Sequence, residues 1–348
     1  METRTQVKYC WPVLGCGTAV RAMREPLGSV SAPATPDFRS LDFDRLWRGR
    51  ARVTQVERLI VRAFLATSGA SRVLEIGAGV GRLSVTIQEM SREFVALDLT
   101  PEFLTRVPHA PEVAFRRVAA NVYTLPFSDG SFSAAVMVRV FGFLSDPVRA
   151  LREIRRVLSP GGALLVSYNP RPSIATLVDD IKVGLARRSG EPLSTMTFSR
   201  QPVVPVRPSN FPAWSMTRKE FRRTVSAAGM VWINEWPTGW EEYPGLRLLP
   251  ARVFGSLSFA LPSVGGFPTR FALLRSPRTT FVPERSWSEI LACPACGGPL
   301  PTVGPEGEEA VSCNGCHREW KWTSGILDAR WDGGRLPPTG DTPLRPSR

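Results

Sequence analysis

The sequence predicts an α/β protein: a doubly wound, mostly parallel sheet followed by a small, metal-organised C-terminal unit. Three observations carry that expectation. The stretch Val73-Leu74-Glu75-Ile76-Gly77-Ala78-Gly79-Val80-Gly81-Arg82-Leu83 reads as a buried strand, a turn with glycine at alternate positions, and the start of a helix. Downstream, short apolar runs alternate with helical periodicity to about residue 167. Near the C-terminus, Cys293-Pro294-Ala295-Cys296 and Cys313-Asn314-Gly315-Cys316 form two C-x2-C pairs separated by sixteen residues.

The glycine turn implies a backbone that approaches a ligand too closely for a Cβ. Its spacing is G-x-G-x-G, and the third glycine of a dinucleotide fingerprint would fall on Arg82, so that fingerprint fails. Glu75 argues the same way, because a carboxylate at the strand tip repels a pyrophosphate and pairs with an ammonium. A ligand with a cationic amino acid tail and no phosphate fits better, and S-adenosylmethionine is one.

Taken in order, residues 1–40 mix Gly, Pro, Ser and Arg without a period and read as an irregular arm. From Leu41 to Ala66 the pattern is helical, with Leu46, Trp47, Val56, Leu59, Ile60, Ala63 and Phe64 on apolar faces. After the glycine turn the helical pattern runs on from Arg82. Glu93 to Asp98 reads as a second strand ending in an acid, at the distance a βαβ unit needs, where it can accept from both hydroxyls of a ribose. Thr100-Pro101-Glu102 starts a helix, with Pro in the first turn. Phe115 to Val118 is the third strand, and Asp129-Gly130-Ser131-Phe132 a turn. Ala134 to Val140, apolar except for Arg139, has the pattern of a central parallel strand. Pro147 to Leu158 is helical, and Ser159-Pro160-Gly161-Gly162 stops it and opens the strand Ala163 to Ser167. Farther on, Ile174 to Arg188 reads as a helix and the proline-rich stretch Ser189 to Ser209 as a loop over the active site. Thr217 and Glu220 form a capping box for a helix ending at Gly229, followed by a strand from Met230 to Asn234, and Phe271 to Leu274 is the last strand. Leu246 to Pro268 is apolar and weakly helical. It is either a packed connection or a greasy lid for a lipid-like substrate or membrane surface.

Five blocks in this order resemble the class I S-adenosylmethionine-dependent methyltransferases, in the subgroup that contains quinone-biosynthesis enzymes with a methyltransferase type 11 core. They are Glu75 to Gly81; Asp98; Leu125-Pro126-Phe127; Asp129 with Phe132; and Arg156 to Gly162. The resemblance implies a Rossmann-like, seven-stranded sheet within a domain spanning 41–280. It implies that Glu75 orients the methionine amino group, and that Gly77, Ala78, Gly79 and Gly81 carry the loop beneath the cofactor. Asp98, with Leu99 beside it, would hold the ribose. Asn121 and Val122 would meet the adenine, the Val122 N–H on the ring and the Asn121 carbonyl toward the exocyclic amine. The chain departs from the family at Asn121, where an aspartate is usual, and at Phe141-Gly142-Phe143, where many relatives carry histidines. Tyr123 and Arg139 are the candidates for contacting the acceptor. No catalytic base is named, since His109, the only histidine before the C-terminal unit, lies in a proline-flanked loop.

The two C-x2-C knuckles supply four thiolates, Cys293, Cys296, Cys313 and Cys316, for a closed tetrahedral structural zinc, with His317 outside the shell. Together with Glu289 to Pro294, Gly298-Pro299-Leu300 and Ser324 to Leu327, they resemble a zinc-ribbon family whose members bind and activate methyltransferases of the translation apparatus. The ribbon is expected over 285–332 with a core of its own, and 333–348 as a disordered tail.

The net charge of +13 invites a nucleic-acid reading, but only four of the 44 basic residues are lysines and no dense basic run occurs. Two acceptor classes stay open, a small or lipid-like metabolite and RNA or a translation protein. A third reading is a non-catalytic, cofactor-binding scaffold whose ribbon holds a partner. No run of 18 apolar residues exists, and Cys10 and Cys16 stand apart from the four grouped cysteines, so the expectation is a cytoplasmic protein with at most peripheral membrane contact.

Overall fold

The computed structural model describes residue 47 and residues 50–173, 213–239, 250–260, 265–279, 285–300 and 310–331, with the backbone of the pair Phe198–Ser199. The helix and loop expected between 174 and 209 lie outside the described residues apart from that pair, as do the N-terminal arm and the C-terminal tail.

The first described helix, α1 (Ala51–Ser68), buries Val53, Val56, Ile60, Val61, Phe64 and Leu65 at helical spacing and ends at Gly69 in the left-handed conformation. It leads into β1 (Arg72–Ile76), α2 (Ser84–Gln88), β2 (Glu93–Asp98), α3 (Pro101–Leu104), β3 (Ala114–Ala119) and β4 (Phe132–Met137). Then come α4 (Pro147–Val157), β5 (Leu158–Tyr168), α5 (Arg218–Ala227), β6 (Val231–Thr238), α6 (Ala251–Ala260) and β7 (Thr269–Arg275). The C-terminal unit adds α7 (Trp287–Ile290), β8 (Ala310–Ser312), β9 (Glu319–Thr323) and β10 (Ile326–Asp328). No helix among the described residues is long and apolar enough to cross a membrane.

These strands form one sheet in the order β6-β7-β5-β4-β1-β2-β3-β10-β9-β8. β1 to β5 are mutually parallel, β7 runs antiparallel to β5, and β6 antiparallel to β7. The mostly parallel, seven-stranded sheet expected of the resemblance is therefore present. Its central strand alternates between two cores: Ala134 and Val136 pack with α1, α2 and α6, while Ala135 and Met137 pack with α4 and α5.

The sheet does not stop at β3. β10 pairs with it in parallel, placing Ile326, Leu327 and Asp328 opposite Arg117, Val118 and Ala119. Ile290, Leu291, Leu300, Val311, Trp320 and Leu327 belong to the same hydrophobic cluster as Leu74, Val118 and Phe127. The expectation of a separate ribbon core fails, because so small a segment meets its need for burial against an open sheet edge.

Several boundaries differ from the expected ones. β4 ends at Met137 rather than Val140, because Arg139 takes a left-handed conformation (φ 60°) that no strand continues. The helix expected from Arg82 is short, since the glycine turn runs to Leu83. β5 includes Leu158 to Gly162, with a register shift opposite Phe132 and Ala134. β6 extends four residues past Asn234, and Pro237 is tolerated because β6 is an edge strand. The capping box of Thr217 and Glu220 is formed as expected. Within Leu246 to Pro268, α6 is a packed element: Phe254 is fully buried, and Gly255 faces Leu59 of α1.

Candidate functional site

Parallel strands put their C-terminal ends on one edge of the sheet, and ligands of open α/β sheets bind outside that edge. Glu75 is the penultimate residue of β1, and Asp98 ends the adjacent β2. Gly77, Gly79 and Gly81 all have positive φ, so the turn curls back over the strand end, and the N–H groups of Gly77 and Ala78 both donate to the Leu97 carbonyl (2.8 and 3.0 Å). Two of these glycines are also sterically required. A Cβ on Gly77 would lie 2.2 Å from Val140 Cγ2, and one on Gly81 would lie 2.5 Å from Pro108 Cδ.

Asp98 is fastened at both oxygens. Oδ2 accepts from Gly79 N (2.8 Å) and Oδ1 from Thr100 N (2.9 Å), while burial pushes its carboxyl above the usual range against those bonds and one from the Leu99 N–H. Three N–H donors leave one of the carboxylate's roughly four lone-pair sites for a ligand hydroxyl. Glu75 is buried and accepts from Ser84 Oγ (2.5 Å). Burial raises its carboxyl to about 7, opposed by the Ser84 bond and the charge of Arg82. A carboxylate so poised gains most from an incoming ammonium.

The connection after β3 carries Asn121 and Val122, the residues expected to meet the adenine. Asn121 Oδ1 accepts from Tyr123 N (3.1 Å), so its carbonyl oxygen already closes a local turn and has one lone pair left for a ligand. The Tyr123 hydroxyl lies 3.0 Å from Ser145 Oγ and accepts from Asp146 N (3.0 Å), at the start of α4. Ribbon residues hold this connection from the other side. Ala329 N donates to the Ala119 carbonyl (2.8 Å), Thr124 Oγ1 to the Trp331 carbonyl (2.8 Å), Ser128 N to the Ile290 carbonyl (2.7 Å), and Ala292 N to the Pro126 carbonyl (3.0 Å). The structure thus brings together the Glu75, glycine-turn and Asp98 residues, and adds a ribbon brace that sequence reasoning missed.

A second missed feature is Glu57 of α1, which is fully buried and lies 2.7 Å from Arg139 Nε and 2.5 Å from Arg82 Nη1. Burial pushes its carboxyl up, but the two arginines outweigh that and hold it below the ordinary value. Trp47 covers both guanidiniums, with ring-centroid distances of 3.9 Å to Arg82 and 5.4 Å to Arg139. Arg139 N donates to Ser167 Oγ (2.7 Å), which secures a left-handed backbone that costs about 1–3 kcal/mol. The signal was legible: Glu57 falls four residues from both Val53 and Val61, on the apolar stripe of its helix.

The four expected thiols converge as well. Sγ atoms of Cys293, Cys296, Cys313 and Cys316 all lie within 4.8 Å of one another, with 3.7 Å between Cys293 and Cys316 and 3.5 Å between Cys296 and Cys313. A disulfide is about 2 Å long, whereas Zn–S bonds of about 2.3 Å give a tetrahedral edge of about 3.8 Å, so the cluster fits zinc. His317 is exposed and outside the cluster, as expected.

Residues 74–166 match the protein family described as "Methyltransferase domain". An uncharacterized methyltransferase of Mycobacterium tuberculosis is 34% identical over 130 residues, covering 37% of this chain and 49% of the relative. The demethylmenaquinone methyltransferase of Thermus thermophilus is 32% identical over 138 residues, covering 38% of this chain and 58% of that enzyme. The chain thus spans about half the length of these curated relatives. Among solved structures, the magnesium protoporphyrin IX methyltransferase of Synechocystis, with bound S-adenosylhomocysteine, matches with a TM-score of 0.46 at 13% identity, covering 68% of this chain and 95% of that one.

Proposed function

We propose that this chain, which carries a methyltransferase domain over residues 74–166, transfers a methyl group from S-adenosylmethionine to a small or lipid-like acceptor. The observation that carries the reading is the paired carboxylates at the ends of β1 and β2, with three left-handed glycines between them. Glu75 receives the ammonium, Asp98 a ribose hydroxyl, and the glycine turn leaves room for the chain that joins them. The donor is already activated as a sulfonium, so the protein's work is to place the acceptor nucleophile in line with the methyl group. A base is needed only for an acceptor that arrives protonated.

The acceptor class is favoured by the relatives named as demethylmenaquinone methyltransferases and by the apolar segment that contains α6. The ribbon and the positive charge support RNA or a translation protein as the second reading. In either case we assign the ribbon a place in the same chain's fold, bracing the connection after β3. The test is methyl transfer from labelled S-adenosylmethionine, with the purified chain offered a lipid extract and total RNA separately. Label in the lipid fraction supports the reading. Label confined to RNA or protein overturns the acceptor, and failure to bind the donor overturns the activity.

A further inference from the structure

Neither the donor site nor the ribbon uses the outer face of α4 and α5, which is strongly basic. The two helices carry eight cations and two carboxylates. Both carboxylates are engaged: Glu153 accepts from the Leu125 N–H (2.8 Å) and pairs with Arg156, and Glu220 closes the capping box with Thr217. Arg218 pairs with the buried Glu235. The remaining six are Arg149, Arg152, Arg155, Lys219, Arg222 and Arg223, and none of them has an ion-pair partner among the described residues. Five are exposed, and Arg155 is half-buried.

These cations share one face. α4 packs against α5, and Arg152 and Arg155 reach across to the carbonyls of Ala227 and Gly229 at the end of α5 (2.9 and 3.3 Å). In α4 the three arginines recur every third residue, about 4.5 Å apart along the axis, so they stand on one side of the helix. Both helices start at the edge of the sheet that holds the donor site. The Tyr123 hydroxyl accepts from Asp146 N at the start of α4, and Met216 N, just before α5, donates to the Asn169 carbonyl beyond β5 (3.0 Å each). At that edge Arg149 lies over the Tyr123 ring, 5.4 Å from its centroid. The basic face thus begins beside Tyr123, two residues from Asn121, and runs down the outside of both helices.

We infer that this face docks the chain on an anionic membrane surface, with the donor-site edge at one margin of the contact. Charge complementarity carries the inference, since a two-helix layer of unmatched cations meets a plane of phosphate charge. Single-stranded nucleic acid is held by stacking on free aromatic rings, and this face offers it little. The rings of Tyr123 and Trp232 that border it are each covered by a guanidinium, Arg222 standing 3.9 Å from the Trp232 centroid. Docking itself is independent of methyl transfer. Only its purpose, bringing a lipid-like acceptor to the site beside it, rests on the acceptor reading above.

The test is co-sedimentation of the full chain with vesicles of equal parts phosphatidylglycerol and phosphatidylcholine, and with vesicles of phosphatidylcholine alone. Binding should be at least tenfold tighter to the anionic vesicles. It should collapse between about 0.1 and 1 M salt, where the Debye length falls from about 10 to about 3 Å. Lys219→Gln with Arg223→Gln removes two exposed cations and should weaken that binding at least tenfold, at about fivefold per cation near such a surface. Thermal unfolding and S-adenosylhomocysteine affinity should stay at wild type. The control is Arg252→Gln with Arg275→Gln. Both residues are exposed; Arg252 lies on α6, and Arg275 alternates with Leu273 on the α6 side of β7. That variant should bind vesicles within twofold of wild type. Equal losses in the two variants would reduce the effect to net charge and overturn the inference, as would equal binding to both kinds of vesicle or binding to neither. Binding of total RNA that the Lys219 and Arg223 replacements abolish, without vesicle binding, would assign the face to nucleic acid instead. Vesicle binding with no label in the lipid fraction would keep the docking face and overturn the acceptor reading, and label in lipid without vesicle binding would do the reverse.

Discussion

Replacing Cys313 by Ser removes one thiolate from the zinc shell, and the structure predicts that the damage will not stay in the ribbon. Outside the β3–β10 ladder, four hydrogen bonds of 3.0 Å or less join the ribbon to the connection between Ala119 and Ser128. At about 0.5–1.5 kcal/mol each, they contribute roughly 2–6 kcal/mol. Ile290 and Leu291, buried in the core shared with β1 and β3, add about 3–6 kcal/mol for the two. The sum is comparable to the whole stability of an ordinary domain, about 5–15 kcal/mol. The variant should therefore bind no zinc and melt at least 10 °C lower, at about 2–4 °C per kcal/mol for a chain of this size class. It should also lose at least tenfold in affinity for S-adenosylhomocysteine, because the connection carrying Asn121 and Val122 must then be ordered by the ligand. Metal analysis, scanning calorimetry and titration calorimetry read the three effects. A variant that loses zinc but keeps the wild-type main transition and ligand affinity would refute the argument and restore the ribbon as an independent unit.

Other predictions follow from the donor site. Asp98→Ala should cost about 1.5–3 kcal/mol of donor binding, a ten- to hundred-fold loss, and also free the Gly79 N–H; unchanged affinity by calorimetry would remove Asp98 from the site. Glu75 has a folded value of about 7 against an ordinary 4.5, so the native state holds the extra proton between those values. The unliganded protein should accordingly lose stability, up to about 3 kcal/mol from this group, as pH rises from 4.5 to 7. Donor affinity should move oppositely, rising toward pH 7 and levelling above it, and Glu75→Gln should abolish both trends in pH-resolved denaturation and titration. Gly77→Ala should destabilise by about 1–3 kcal/mol, since its Cβ meets Val140 in a left-handed backbone; the additional replacement of Val140 by Ala should recover part of the loss in thermal unfolding.

What the sequence by itself determined was whatever depends on neighbours along the chain. The strand and glycine turn, the acid ending β2, the capping box of Thr217 and Glu220, and the two cysteine knuckles all follow from spacing and local conformational preference, and each stands where the sequence put it. Tertiary structure decided what depends on partners distant in sequence. Arg139 lies 82 residues from Glu57, and nothing in the apolar run around it announces that it leaves the strand to meet a buried carboxylate. Thr124 and Trp331 are 207 residues apart, and a ribbon with the spacing of an autonomous metal module gives no hint of which surface it covers. That surface is the open edge of β3, whose unpaired backbone groups are satisfied by β10. An edge strand must find partners for its N–H and C=O groups, and a small metal-clipped segment must find a core. Each supplies what the other lacks, a match that exists only once the sheet has formed.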